Sequence, residues 1–291
     1  MDFKSGTELL AICKKEGIPI SQVMRLREIA LSEQTREAVD SRMMQVLKIM
    51  RDSATQTLND PMPSMGGLIG GQAQKLNRFR TQGKNVCGDL ISRAMTYAMA
   101  VQEVNTSMGL IVAAPTAGSA GVVPGVLLAL QDCYDIPDAH IVDGLFHAGA
   151  VGYLAMRNAT VSGAVGGCQA EVGVAAAMAA SACTELMGGD PEACLDAAST
   201  VLMNLLGLVC DPVGGLVEYP CQNRNAAGVA LAITAAEMAL SGIRQLIPFD
   251  EMLEVVNAVG RRMPAELRET ALGGCATAPS ACAACKNKAC N

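Results

Sequence analysis

Three cysteines stand far apart in an otherwise apolar chain, each in glycine-, proline- or amide-rich surroundings. They are set in Gly166-Gly167-Cys168-Gln169, Cys210-Asp211-Pro212-Val213-Gly214-Gly215 and Pro220-Cys221-Gln222-Asn223-Arg224-Asn225. A further set of thiols, Cys275, Cys282, Cys285 and Cys290, fills the tail. Thiolates are the ligands of iron-sulfur clusters, and a cluster needs three or four of them converging in a dry pocket. Glycine beside a ligand carries no Cβ, so the backbone can approach a metal closely. The pattern points to one cluster gathered from distant segments, and it is unlike the compact ligand runs of ferredoxins.

Few other groups are placed to do chemistry. Between residues 94 and 243 the basic side chains are Arg157 and Arg224, and Arg224 stands three positions after Cys221. A guanidinium there suits an anion, since arginine pairs bidentately with a carboxylate. The loop Ser64-Met65-Gly66-Gly67-Leu68-Ile69-Gly70-Gly71 is richer in glycine than a turn requires, and its amides could cradle a carboxylate. A second loop, Ala113-Ala114-Pro115-Thr116-Ala117-Gly118-Ser119-Ala120-Gly121, brings two hydroxyls into an apolar stretch. The chain has two histidines, His140 and His147, seven apart and so on one helix face. Either has the chemistry of a general base near neutral pH, and a histidine among polar helix neighbours is as readily structural.

The elements that must hold these residues are helices. The 291-residue chain is 51% apolar and 3% aromatic, with 29 Gly and 17 Met, so its core is filled by small and flexible side chains. Amphipathic segments span about residues 7–15, 21–31 and 34–58. Further helical patterns cover about 124–131, 138–156, 169–186, 191–206, 226–241, 249–259 and 264–271. Strand signals are poor. The expected fold is all-α, a single large helical domain. Residues 1–60 are its N-terminal amphipathic helices, 61–274 a helical catalytic core and 275–291 a cysteine-rich tail.

Composition excludes several functions. A net charge of −6 argues against nucleic-acid binding, which needs clustered Lys and Arg. The uncharged run from Val104 to Gln131 is broken by Pro115, Pro124 and several glycines, so it reads as buried helix, loop, buried helix rather than a membrane span. The opening Met1-Asp2-Phe3-Lys4-Ser5 lacks the apolar core of a secretory leader. A cytoplasmic setting follows as the expectation, with the cysteines free for metal rather than disulfides. Cys13, Cys87, Cys133, Cys183 and Cys194 read as buried filler.

Five blocks together resemble one known family: Ser64-Met65-Gly66-Gly67, Ala114-Pro115-Thr116-Ala117-Gly118, Gly166-Gly167-Cys168-Gln169-Ala170-Glu171, Cys210-Asp211-Pro212-Val213-Gly214-Gly215 and Pro220-Cys221-Gln222-Asn223-Arg224-Asn225. The chain resembles, over essentially its whole length, the alpha chain of the two-subunit bacterial iron-sulfur L-serine dehydratase. The resemblance implies an all-helical domain with a [4Fe-4S] cluster on Cys168, Cys210 and Cys221, and Cys290 as a tail ligand to the fourth iron. The additional Cys275, Cys282 and Cys285 leave the identity of that fourth ligand open. The resemblance further implies deamination of L-serine to pyruvate and ammonia, with an open iron acting as Lewis acid. It assigns substrate contacts to Ser64, Met65, Gly66, Gly67 and Thr116, with Arg224 and Asn225 as further candidates. It also implies a partner beta chain that carries the base; the net-basic first 90 residues and their amphipathic helices are one candidate docking surface for it.

Three other readings compete. A structural or electron-transfer cluster protein would leave the glycine-rich loops without a purpose. A zinc module on Cys282, Cys285 and Cys290 lacks a second cysteine pair at zinc-finger spacing. A related hydro-lyase acting on L-threonine or a hydroxy acid shares the open-iron chemistry.

Overall fold

The computed structural model describes residues 2–285, and among these there are thirteen α-helices and no strand. The helices are α1 (Gly6–Glu16), α2 (Ile20–Ser32), α3 (Arg36–Thr55), α4 (Gln72–Thr81), α5 (Gly88–Thr106), α6 (Val122–Tyr134) and α7 (Asp138–Asn158). They continue as α8 (Gly163–Gly166), α9 (Cys168–Leu186), α10 (Pro191–Asn204), α11 (Cys221–Leu240), α12 (Phe249–Arg262) and α13 (Pro279–Ala284). Among the described residues, no helix is long and apolar enough to cross a membrane.

Local signals set the helix ends. Ser5 Oγ accepts the Glu8 amide at 3.1 Å to cap α1, and Lys14 and Lys15 stand at its other end, where the helix dipole favours cations. Asp190 caps α10 by accepting the Ala193 amide at 2.6 Å, with Pro191 in the first turn.

The architecture is built around α9. Every side chain from Cys168 to Thr184 is buried, the mark of a helix enclosed on all sides. Its neighbours are α6, α7, α10 and α11, and its run of alanines lets them come close. On α7, Gly144 faces Leu186 and Gly152 faces Met178, so α7 runs antiparallel to α9. On α11, Arg224 reaches Cys168 while Gly228 lies against Val172, so α11 runs parallel to it. The starts of α9 and α11 therefore lie together.

Two buried polar links tie the layers. Arg25 of α2 pairs with Asp40 of α3 at 2.7 Å and Asp143 of α7 at 2.6 Å, and its guanidinium stacks 4.5 Å from the Phe146 centroid. His147 of α7 is fully buried; its Nδ1 meets Glu185 Oε2 at 2.8 Å and its Nε2 meets Ser181 Oγ at 2.7 Å, both on α9.

Several expectations need correction. Residues 264–271 form only a short 3-10 turn, Ala265–Leu267, after which the chain runs beside Cys210: Cys210 N donates to Leu267 O at 2.9 Å and Glu269 N to Cys210 O at 2.6 Å. Left-handed backbone at Glu269 and Ala271 ends any helix there. Helix α4 and most of α5 escaped the periodicity reading. In α4 only Ala73 is buried, so an apolar stripe is missing, and α5 is built largely of small residues. Cys13, Cys183 and Cys194 are buried, but Cys87 is exposed and Cys133 half-buried, because both sit at helix ends.

His147 yields a stability prediction. Burial alone would raise the Glu185 pKa, yet the His147 pairing, with the Ser21 hydrogen bonds, outweighs it and holds the carboxyl below its ordinary value. His147→Ala leaves that half-buried carboxylate with only the Ser21 amide, 3.4 Å away, at an expected cost of about 3 kcal/mol in urea unfolding. A depressed pKa stabilises above the unfolded value and is lost as pH falls through the folded one. The wild-type chain should thus lose stability on acidification through and below the ordinary glutamate range, with His147→Ala showing a flatter acid limb.

Candidate metal centre at the start of the central helix

The chain reaches the site through glycines. Gly167 takes φ +75, and a Cβ there would stand 2.8 Å from the Leu208 carbonyl, so only glycine lets the backbone turn this tightly into α9. Cys168 follows as the first residue of α9, and Cys221 is likewise the first of α11, directly after Pro220. Helix N-termini favour the negative charge of a thiolate. Cys210 arrives on the connecting loop, held by its pairing with Leu267 and Glu269.

Cys168 Sγ, Cys210 Sγ and a Glu171 carboxylate oxygen lie within 4.8 Å of one another, and all three residues are buried. Glu171 stands three positions after Cys168, so both project from one face of α9. The Cys210 thiol donates to Cys168, which lowers the Cys168 pKa against the opposing effect of burial, and Arg224 adds to the lowering. The Cys210 pKa is raised in turn, by that same hydrogen bond and by burial. Cys221 shares the same surroundings: burial first, then the charges of Cys168 and Glu171, push its thiol up. Burial also raises Glu171, Thr116 opposes this, and Glu269 reinforces it. A Cβ on Gly163 would sit 3.0 Å from both Cys210 Sγ and Glu171 Oε2, so that glycine keeps the space beside the donors clear. Soft thiolates with a carboxylate alongside, in a pocket with anion-favouring helix ends, form a donor set that fits iron or another thiophilic metal.

Arg224 is the cation of the site. Its Nη1 donates to Val209 O at 2.9 Å, pairs with Asp211 Oδ1 at 2.7 Å and stands 3.5 Å from Cys168 Sγ. Asn225, also read as a substrate contact, is fully buried and fully used. Its Nδ2 donates to Gly118 O at 2.8 Å and Cys221 O at 2.9 Å, and its Oδ1 accepts from Gly121 N at 3.1 Å and Gln102 Nε2 at 3.3 Å. It braces the 117–121 turn against α11. Thr116 reaches the metal-capable group directly, donating to Glu171 Oε1 at 2.5 Å with Ser119 Oγ 3.1 Å away.

Ser64, Met65, Gly66 and Gly67 line a cavity of about 280 Å³ together with Leu216 and Cys285. The amide cradle expected in this loop exists, and the carboxylate in it belongs to the chain. Glu218 accepts from Ser64 Oγ at 2.7 Å, Gly66 N at 2.5 Å and Leu68 N at 2.9 Å. The tail folds back toward the same region: Cys275 N donates to Asp211 Oδ2 at 2.6 Å, and Cys285 stands at the cavity wall. Cys290 lies outside the described residues.

The histidines do not join the thiols. His147 meets α9 at Ser181 and Glu185, and the 17 residues from Cys168 to Glu185 span about 25 Å of helix. His140 is exposed on the first turn of α7, farther still along the antiparallel pair. Helix α7 carries both toward the opposite end of α9 from Cys168. Four acidic residues of the site, Glu171, Asp211, Glu218 and Glu269, were not singled out from sequence. The first two had a signal, since Glu171 is one turn from Cys168 and Asp211 adjoins Cys210. Glu218 and Glu269 had none.

Arg224→Ala removes the partner of buried Asp211 and should cost about 3–5 kcal/mol of stability. It also withdraws the cation that favours the Cys168 thiolate. Because metals bind thiolates, cobalt uptake followed by its sulfur charge-transfer absorption should shift to higher pH in a folded Arg224→Ala chain, and less in Arg224→Lys, which keeps the charge. An unchanged pH profile would contradict the assigned role of Arg224.

The chain matches known proteins along nearly its whole length. A family model described as serine dehydratase alpha chain matches residues 15–276. The probable L-serine dehydratase alpha chain of Bacillus subtilis (strain 168) is 46% identical over 278 residues, covering 96% of this chain and 92% of that one. The L-serine dehydratase alpha chain of Peptoniphilus asaccharolyticus is 42% identical over 274 residues, 94% of each chain. The L-serine dehydratase TdcG of Escherichia coli (strain K12) is 36% identical over 282 residues, and the match spans only 62% of that longer protein. The chain belongs to the serine dehydratase alpha chain family.

Proposed function

We propose that this chain is the alpha chain of an L-serine dehydratase, a lyase that converts L-serine to pyruvate and ammonia. The observation that carries the reading is the gathering of Cys168, Cys210 and Glu171 ligand atoms within 4.8 Å in a buried pocket, in a chain 46% and 42% identical to relatives of that name. Cys168, Cys210 and Cys221 would hold a [4Fe-4S] cluster, and Cys290, Cys285 or another tail thiol would be the exchangeable fourth ligand. Bound there, the cluster supplies Lewis-acid chemistry that makes hydroxide an acceptable leaving group.

The chain's own residues do the rest. Arg224 balances thiolate charge and is itself held by Asp211, so it stays beside the sulfur rather than swinging to solvent. Thr116 fixes Glu171 by hydrogen bond, which sets where that carboxyl can receive or give a proton. Ser64, Met65, Gly66 and Gly67 form the wall of the adjoining cavity and orient the amino acid, with Thr116 as a second contact. Arg224 acts on the cluster side, and Asn225 acts through the 117–121 turn.

The Cα proton is removed by a group on a partner beta chain. Two observations support this: both histidines of this chain lie toward the far end of α9, and relatives such as TdcG are longer than the region matched here. Thiols reserved for metal suit a reducing compartment, so the working location is the cytoplasm.

Anaerobic reconstitution of this chain with iron and sulfide, together with its beta chain, tests the reading. Expected are about four irons per alpha chain, pyruvate from L-serine in excess over 2-oxobutyrate from L-threonine, and an iron spectrum perturbed by L-serine. Cys168→Ser, Cys210→Ser and Cys221→Ser should each lose bound iron and turnover together. Zinc uptake without iron, or a cluster blind to L-serine, would sink the proposal.

A further inference from the structure

Every backbone amide of the 65–69 loop already has a partner within the chain. Met65 N donates to Thr106 O at 3.0 Å, and Gly67 N to Ser64 O at 3.1 Å. Ile69 N donates to Ser64 Oγ at 3.3 Å, and the two remaining amides, Gly66 and Leu68, donate to Glu218. Ser64 Oγ gives its own proton to Glu218 Oε2. A carboxylate that accepts three donors while only 1% exposed is a built contact. Room for it depends on glycine, since a Cβ on Gly66 would stand 2.5 Å from Leu216 and 2.9 Å from Glu218 Oε1.

We propose that Glu218 is the positioning residue of the reaction: it folds the 64–69 loop into its working shape and clamps it to the segment that carries Cys221. Glu218 lies three residues before Cys221, and its carbonyl accepts the Gln222 amide at 3.0 Å, so the carboxylate and the metal-binding thiol belong to one rigid corner. Thr106, at the end of α5, holds the loop from its other side through Met65. The loop and the thiols are far apart in sequence, and Glu218 sets the distance between them. Glu218 does not touch substrate, because its two oxygens are spent on the loop. The inference rests on the reading that L-serine is oriented by Ser64–Gly67 beside the cluster.

The test uses the reconstituted complex with Glu218→Gln. Glutamine keeps the size, and its amide group sets a donor against the Leu68 or Gly66 N–H. A packing role would survive this change and an acceptor role would not. The expected result is loss of hydrogen-exchange protection at Gly66 and Leu68 and a KM for L-serine raised about tenfold or more, with kcat changed less and iron absorbance per chain unchanged. Glu218→Asp, which keeps the charge on a shorter stem, should recover part of both effects. An unchanged exchange pattern with unchanged KM would overturn the proposal. A lowered KM would overturn it too, since it would make Glu218 a competitor of the substrate for the cradle. Should the wild-type complex turn over no L-serine, the exchange data still decide whether Glu218 holds the loop. Should Glu218→Gln not fold, the wild-type amides decide alone: exchange at Gly66 and Leu68 as fast as in an open coil removes the clamp.

Discussion

A half-buried guanidinium is the contact on which the rest of the site depends. Arg224 stands where the starts of α9 and α11 meet, touching Cys168, the Val209 carbonyl and Asp211. Around it are gathered three buried thiols and the carboxylates of Glu171 and Asp211, a concentration of negative charge that a low-dielectric pocket does not tolerate unbalanced. The parallel start of the two helices adds two amide-rich N-termini facing the same space. One cation and two helix ends together make a pocket fit for thiolates.

Small side chains make that pocket possible. Helix α9 is enclosed by four others because alanine and glycine let them approach, so it is rigid where Cys168 and Glu171 project. Polar groups elsewhere in the core are spent on joining layers: Arg25 joins α2, α3 and α7, and His147 joins α7 to α9. Asn225 does similar work nearer the site, satisfying Gly118 O and Gly121 N of the 117–121 turn. The polar residues of this chain thus divide into those that hold helices together and those that face the thiols, and residue type alone does not tell them apart.

The fold was largely legible in the order of residues, because helix formation is local. The punctuation of Gly and Pro and 3.6-residue periodicity mark most helices within a few positions. The exceptions have physical causes. Helix α4 is too polar to show a stripe. Residues 264–271 have helical composition, and pairing with Cys210 draws them into an extended path instead. Of the site, the thiols, Thr116 and Arg224 were legible, because cysteine beside glycine and a lone arginine near it are rare combinations. The charged partners Glu218 and Glu269 were not, since an isolated glutamate in a loop carries no local sign of what it will meet.

By itself, the sequence determined the class of fold, the segments able to supply metal ligands and the loops able to line a site, since propensity, capping and glycine content act over a few neighbouring residues. Only the tertiary structure decided which groups share the pocket. It set Cys168, Cys210, Glu171 and Arg224 together, carried His147 about 20–25 Å away along α9, and filled the Ser64–Leu68 cradle with Glu218. Those outcomes follow from helix direction and packing, which join residues from 34 to 154 positions apart and leave no trace in local composition.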